Sequence, residues 1–196
     1  VQVMRVQKPF GCLGGVAAIA TNTWAAFKGK EALNPKWEGG ENANYNTSDF
    51  TEELMNNLKT NPDTIKDEGS VDSAFAKADK IIESEFRTPH LVHAPMEVPN
   101  AVAYVQRNKC EVWAPTQDPQ SARKEVADYL GLDIKDVTIN VTFLGGGFGR
   151  KSKPDYIVEA VAISKAIKAP VQVVWSREDD IKHSYYHTLA AQYMRA

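Results

Sequence analysis

Four of the chain's 12 glycines fall within positions 145–149, wrapped around a single aromatic, Phe148. Glycine lets a backbone turn through left-handed conformations and lets a ligand approach bare N–H groups. Upstream, Asp136-Val-Thr-Ile-Asn-Val-Thr-Phe-Leu144 reads as a strand. Downstream, Ser152-Lys-Pro-Asp155 opens a helix, with Ser152 and Asp155 in capping-box spacing. Strand, glycine loop and helix start in succession make an anion- or cofactor-binding element, and the same stretch also reads as a plain turn between strand and helix. Two familiar versions fail at one position. A dinucleotide fingerprint needs its third glycine where Arg150 stands, and a phosphate loop needs glycine there before Lys151-Ser152.

The rest of the chain alternates strands and helices. Val1-Gln-Val-Met-Arg5 reads as a strand already under way, which suggests a piece of a longer chain. Gly15 to Ala20 follows the Gly-Cys-Leu-Gly loop as a buried strand, and Thr21 or Asn22 caps a helix to Leu33, stopped by Asn34-Pro35. Trp37 to Asn46 is a Gly- and Asn-rich boundary; a short surface helix follows over Phe50 to Lys59, broken by Thr60-Asn-Pro-Asp-Thr64. Val71 to Lys77 is a short helix and Ile81 to Thr88 a strand. Ala101–Val105 and Cys110–Ala114 flank Arg107-Asn-Lys109 as a hairpin. Asp118-Pro119 starts a helix that Gly131 ends. Beyond the loop, Ile157, Ala160, Val161, Ser164 and Ile167 form one buried helical stripe, and Val171 to Trp175 is a strand. From residue 79 the order is βββαβαβ, so the expected fold class is α+β, with mixed α/β layers.

The net charge of −2 argues against a nucleic-acid surface, which is normally basic, and no apolar run is long enough to span a membrane. Cys12 and Cys110 are far apart; they read as buried thiols rather than a disulfide, and no Cys-x-x-Cys pair exists to hold zinc or an iron–sulfur cluster. His183 and His187 have the spacing of one helical face, but Ser184 stands where a metalloprotease needs glutamate, so packing or surface roles are favoured. Arg177-Glu-Asp-Asp180 reads as a solvated charged turn.

Several stretches in order carry a family resemblance. They are His93-Ala-Pro-Met-Glu97, Trp113-Ala-Pro-Thr-Gln-Asp-Pro-Gln120, Tyr129-Leu-Gly-Leu132, Val137–Val141, Leu144-Gly-Gly-Gly-Phe-Gly-Arg-Lys151 and Trp175-Ser-Arg-Glu-Asp-Asp-Ile181, with Thr23–Leu33 in support. Together they resemble the molybdopterin-binding region of the xanthine dehydrogenase/aldehyde oxidase family, nearest to subunits of the isoquinoline 1-oxidoreductase beta type. The resemblance is weakest over residues 38–70.

The resemblance implies residues 1–37 as the end of an α/β hammerhead-like domain, 38–70 as a linker and 71–196 as the N-terminal part of a molybdopterin-binding domain. It implies a molybdenum hydroxylase acting on an aldehyde or N-heterocycle, with water as oxygen source. Gln117 would hydrogen-bond an oxo group on the metal, and Gly146, Gly147, Phe148 and Gly149 would present backbone N–H groups to the cofactor. Molybdenum would be held by the pterin dithiolene, so no protein metal ligand is expected. Iron–sulfur clusters would sit on a partner small subunit, and the rest of the large subunit would complete the cage. Many relatives continue Gly-Gly-Lys-Glu where this chain has Gly149-Arg-Lys-Ser152, which removes the substrate-facing glutamate. The family's catalytic base lies in a later domain, so no residue here takes that role, Glu159 and Glu178 included. The compartment, bacterial cytoplasm or periplasm, is left open, since no signal lies in the segment. Two other readings stay on the table: a phosphate- or nucleotide-binding module built on Gly145–Gly149, and a non-catalytic assembly module with the same fold.

Overall fold

A computed structural model of the chain describes residues 1–7, 14–58, 60 and 63–196. Cys12, with its neighbours Gly11 and Leu13, and Lys59 and Asn61-Pro62 lie outside the described residues; Cys110 is a buried free thiol. The chain forms two compact units, one of residues 1–37 and 92–185, the other of 38–91 and 186–196.

The first unit is built on a four-stranded sheet. Its strands are β4 (Asn100–Val105), β5 (Cys110–Ala114), β6 (Val137–Val141) and β7 (Val171–Val174), in the order β6-β5-β4-β7. β4 pairs antiparallel with both β5 and β7, and β5 runs parallel to β6, with Ala114 opposite Val141. This register decides where function can sit. The start of β4 and the ends of β5, β6 and β7 all lie at one end of the sheet, so the loops carrying residues 97, 117 and 145–149 emerge together there.

Helix α4 (Pro119–Leu130) begins as the sequence predicts, with Asp118 accepting from the Ser121 N–H at 3.0 Å and Gly131 at φ 69° closing it. Helix α5 (Asp155–Ile167) is buried over far more than one stripe. One face packs on Ala103 and Val112 of the sheet and on Val126 of α4; Ala162 and Ile163 on another meet Val6 and Ala17. Those residues belong to the antiparallel pair β1 (Gln2–Val6) and β2 (Gly15–Ile19), which leads into α1 (Thr23–Leu33), capped by Asn22. A helix covered from two sides has no polar face, which is why Tyr156 and Val158 are buried too.

Three expectations are corrected here. Ser152 forms no capping box with Asp155: residues Arg150–Ser152 make a 3-10 turn, Pro154 is the N-cap without a side-chain bond, and Asp155 is engaged elsewhere. Strand β6 stops at Val141, short of Leu144. The Arg177–Asp180 stretch is not a solvated turn but the start of helix α6 (Arg177–Lys182), with Ser176 and Asp179 making a reciprocal capping box and Asp180 fully buried.

The second unit pairs β3 (Glu83–Thr88) antiparallel with β8 (Ala190–Arg195), a strand not expected from the sequence. Helix α2 (Thr47–Asn57) packs against β8; it starts earlier than Phe50 because Asn46 accepts from Ser48 and Asp49 N–H groups. Helix α3 covers Val71–Phe75. His183 ends α6 and His187 pairs with Leu91 in this second unit, so the two histidines share no helical face.

Candidate functional site

The loop after β6 is held in a conformation that ordinary residues avoid. Gly146 and Gly149 both stand at φ 95°, and Phe148 between them stands at φ 53°. A left-handed aromatic costs about 1–2 kcal/mol, yet its ring is 68% exposed and gains little from burial. Such strain persists only where the surrounding structure holds it in place.

Gln117, on the loop after β5, meets this loop directly. Its side-chain Oε1 accepts from the Gly149 N–H at 2.9 Å. A Cβ on Gly147 would overlap the same carboxamide, so any side chain there would push Gln117 out of this position. Because the amide oxygen accepts from Gly149, Nε2 is the end left to donate, and it has no partner among the described residues. No hydrogen-bond partner is found among the described residues for the N–H groups of Gly146, Gly147 and Phe148. Of the five residues the sequence singled out, four keep a donor with no partner among the described residues, although Gly147 itself is buried, and Gly149 spends its N–H on fixing Gln117.

Beneath the loop lie residues the sequence reading passed over. Glu97 Oε2 accepts from the Gly145 N–H at 2.9 Å and from Lys151 Nζ at 2.6 Å, while the Glu97 N–H donates to the Gly145 carbonyl at 3.0 Å. Burial works against the Glu97 charge, but the bonds from Lys151, Gly145 and Asn100 hold its carboxyl below the usual range. The Lys151 carbonyl in turn accepts from the Gln117 N–H at 3.0 Å and the Thr116 hydroxyl at 3.1 Å. The segment bearing Glu97 is itself pinned by Arg177, which donates to the Pro95 and Met96 carbonyls at 2.5 and 2.9 Å and pairs with Asp180 at 2.6 Å.

Arg150, the residue that spoils both phosphate patterns, is fully buried. It makes two hydrogen bonds to the Asp155 carboxylate, at 2.9 and 2.8 Å, and lies over the rings of Trp175 and Tyr185 at 5.3 and 5.2 Å. Burial opposes its charge, and Asp155 more than offsets that, so its pKa is raised. Both cations beside the loop are therefore committed to internal carboxylates. Neither reaches outward as a phosphate-loop lysine does, so the loop itself offers backbone donors, with the Gln117 carboxamide and the His93 imidazole beside it. The sequence signal that would have found Glu97 and Lys151 is only their presence in two of the quoted motifs; their pairing across 54 positions follows no spacing rule.

A separate cavity of about 810 Å³ lies in the same unit, lined among others by Ala17, Lys30, Glu159, Trp175 and Asp179 and by none of the residues of the glycine loop. Glu159 accepts from Trp175 Nε1 there at 2.8 Å, and burial pushes its carboxyl up to about 7.

Residues 50–195 match the molybdopterin cofactor-binding domain model. The chain belongs to that family. This member is similar to the isoquinoline 1-oxidoreductase subunit beta of Brevundimonas diminuta, 30% identical over 187 residues, covering 90% of the chain and 24% of that protein. It is also similar to aldehyde oxidase 2 of Macaca fascicularis, 28% identical over 176 residues, covering 87% of the chain and 13% of that protein. The chain thus spans no more than about a quarter of the length of these relatives. Among solved structures, quinoline 2-oxidoreductase from Pseudomonas putida 86 matches 64% of the chain and 16% of its own with a TM-score of 0.58 at 23% identity, a likeness of fold. The expected α+β class, the family and its molybdopterin cofactor are borne out. Among the described residues, no helix is long and apolar enough to cross a membrane.

Proposed function

We propose that the end of the sheet where β5 and β6 finish is one wall of the cofactor pocket in a molybdenum hydroxylase. Gln117 Nε2 and the N–H groups of Gly146, Gly147 and Phe148 are its donors; Gly149 is the residue that orients Gln117. The observation that carries this is the Gly149 to Gln117 bond. With Oε1 spent on Gly149, Gln117 keeps only its Nε2 end as a donor, close in the fold to three backbone N–H groups that have no partner among the described residues. Such pre-aimed donors suit the acceptor oxygens of a molybdenum–pterin group, and they need no reorganisation when it arrives. The glycines keep Cβ atoms out of the approach.

When bound, the cofactor supplies the redox chemistry that inserts water-derived oxygen into a carbon–hydrogen bond of an aldehyde or N-heterocycle. This chain's residues bind and orient. They hold no base, and the other half of the cage and the proton acceptor come from the rest of the large subunit. Electrons pass to iron–sulfur clusters on a partner subunit. In this reading residues 1–37 close a hammerhead-like domain, 38–70 link, and 71–196 begin the cofactor domain; the compartment is the bacterial cytoplasm or periplasm. The family match and the inward commitment of both cations at the loop support this reading over a nucleotide-binding module.

Metal and pterin analysis of the purified, assembled enzyme tests it, alongside thermal shifts with ATP and NAD. Molybdenum and pterin should copurify and the nucleotides leave the midpoint unchanged. A nucleotide-induced shift in a protein free of molybdenum and pterin would overturn the proposal.

A further inference from the structure

The bonds beneath the loop close a ring. Glu97 ties Gly145 to Lys151, Lys151 holds the Gln117 backbone through its carbonyl, and the Gln117 side chain returns to Gly149. Both ends of the loop therefore hang on one carboxylate oxygen. Lys151 is wholly buried, whereas the Glu97 side chain keeps 30% exposure at the loop's edge. A flexible ammonium fixed in this way costs desolvation and side-chain entropy, and a pair of apolar residues would fill the same space more cheaply.

We infer that Glu97 and Lys151 are positioning residues for the cofactor. Their ion pair buckles the two ends of the glycine loop together, so that the Gly146–Phe148 donors and the Gln117 carboxamide are set before any ligand binds. The inference rests on the pocket reading above. Without the buckle, a segment with three left-handed residues in four positions relaxes, and Gln117 loses its register against Gly149. Supporting groups of this kind alter metal-site affinity without touching the metal's own ligands.

The test uses the assembled enzyme with Lys151→Met, Glu97→Gln and the double variant. Three quantities are read: the melting midpoint, the molybdenum and pterin retained per folded subunit on long dialysis, and hydrogen exchange over residues 145–151 in cofactor-free protein. Glu97→Gln leaves the buried Lys151 ammonium without its counter-charge and should melt earlier; Lys151→Met leaves Glu97 part-exposed and still bonded to Gly145, and should melt earlier by less. The double variant removes both charges and should regain the wild-type midpoint. It should nevertheless lose cofactor about 10–100-fold faster and exchange faster at the Gly149 amide, because the carboxamide introduced by Glu97→Gln can accept from Gly145 but no longer ties it to position 151. A merely structural pair predicts that retention and exchange recover together with the midpoint, and that result overturns the inference. Failure of a single variant to fold leaves the double variant to decide. If the wild-type enzyme carries no molybdenum, the pocket reading falls, while the exchange measurement still judges the buckle.

Discussion

Arg150 and Lys151 are neighbours in sequence, both fully buried and both paired with a carboxylate, yet they do different work. Arg150 faces inward. It binds an acid only five positions away, is covered by two rings, and anchors the entry of α5 to the β7 edge. Lys151 faces the loop. Its partner comes from before β4 and shares the same oxygen with the loop's first glycine. The first pair holds the scaffold together; the second carries scaffold rigidity into the site. Burial alone does not distinguish them, whereas the Gly145 N–H that shares the Glu97 carboxylate does.

The largest effect should come from breaking the inward pair. Asp155→Asn leaves the Arg150 guanidinium buried with half its partner's charge-assisted bonding gone, and removing one member of such a pair costs about 3–5 kcal/mol. Denaturant unfolding should register this as a large drop in midpoint, with cofactor retention per folded molecule close to normal. Gly147→Ala sharpens the other side. The new Cβ displaces the Gln117 carboxamide, so cofactor retention should fall sharply while stability changes by only about 1 kcal/mol. In a Gln117→Ala background the same substitution should add little further loss, which a double-mutant cycle reads directly.

Acid and alkali separate the two sides more gently. Glu97 sits below its ordinary value of 4.5 in the folded chain, so its contribution is present above that pH and is lost as the pH falls through the lowered value. The loop side should loosen in acid, and Glu97→Gln should remove that dependence. Glu159, which accepts from the Trp175 ring that covers Arg150, titrates near 7 against an ordinary 4.5. Its contribution is full below 4.5 and is lost as the pH rises through about 7. Glu159→Gln should therefore flatten the stability profile across that window, as measured by unfolding midpoints at stepped pH.

Much of this molecule is written locally. Asp118-Pro119 and Gly131 bracket α4 by capping chemistry alone, and the hairpin around Arg107-Asn-Lys109 follows from alternation and a turn. Gln117 and the glycine loop stand out in the sequence through the family motifs, and their meeting follows from the parallel β5–β6 register. What stays hidden depends on distance or on brevity. The Glu97–Lys151 pair spans 54 positions, and β8 finds its partner β3 some hundred residues earlier. Helix α6 has six residues, too few for a periodic signal, so only the Ser176–Asp179 cap could have announced it. The capping box at Ser152 fails because the Arg150–Ser152 turn intervenes and Asp155 is drawn inward to Arg150.

The most direct test of the account is Gln117→Ala in the assembled enzyme, with molybdenum and pterin content measured beside the melting midpoint. Gln117 is exposed and pairs with the loop rather than the core, so the account predicts a normal midpoint with a clear loss of bound cofactor and of turnover. Full cofactor content and undiminished activity in that variant would contradict it.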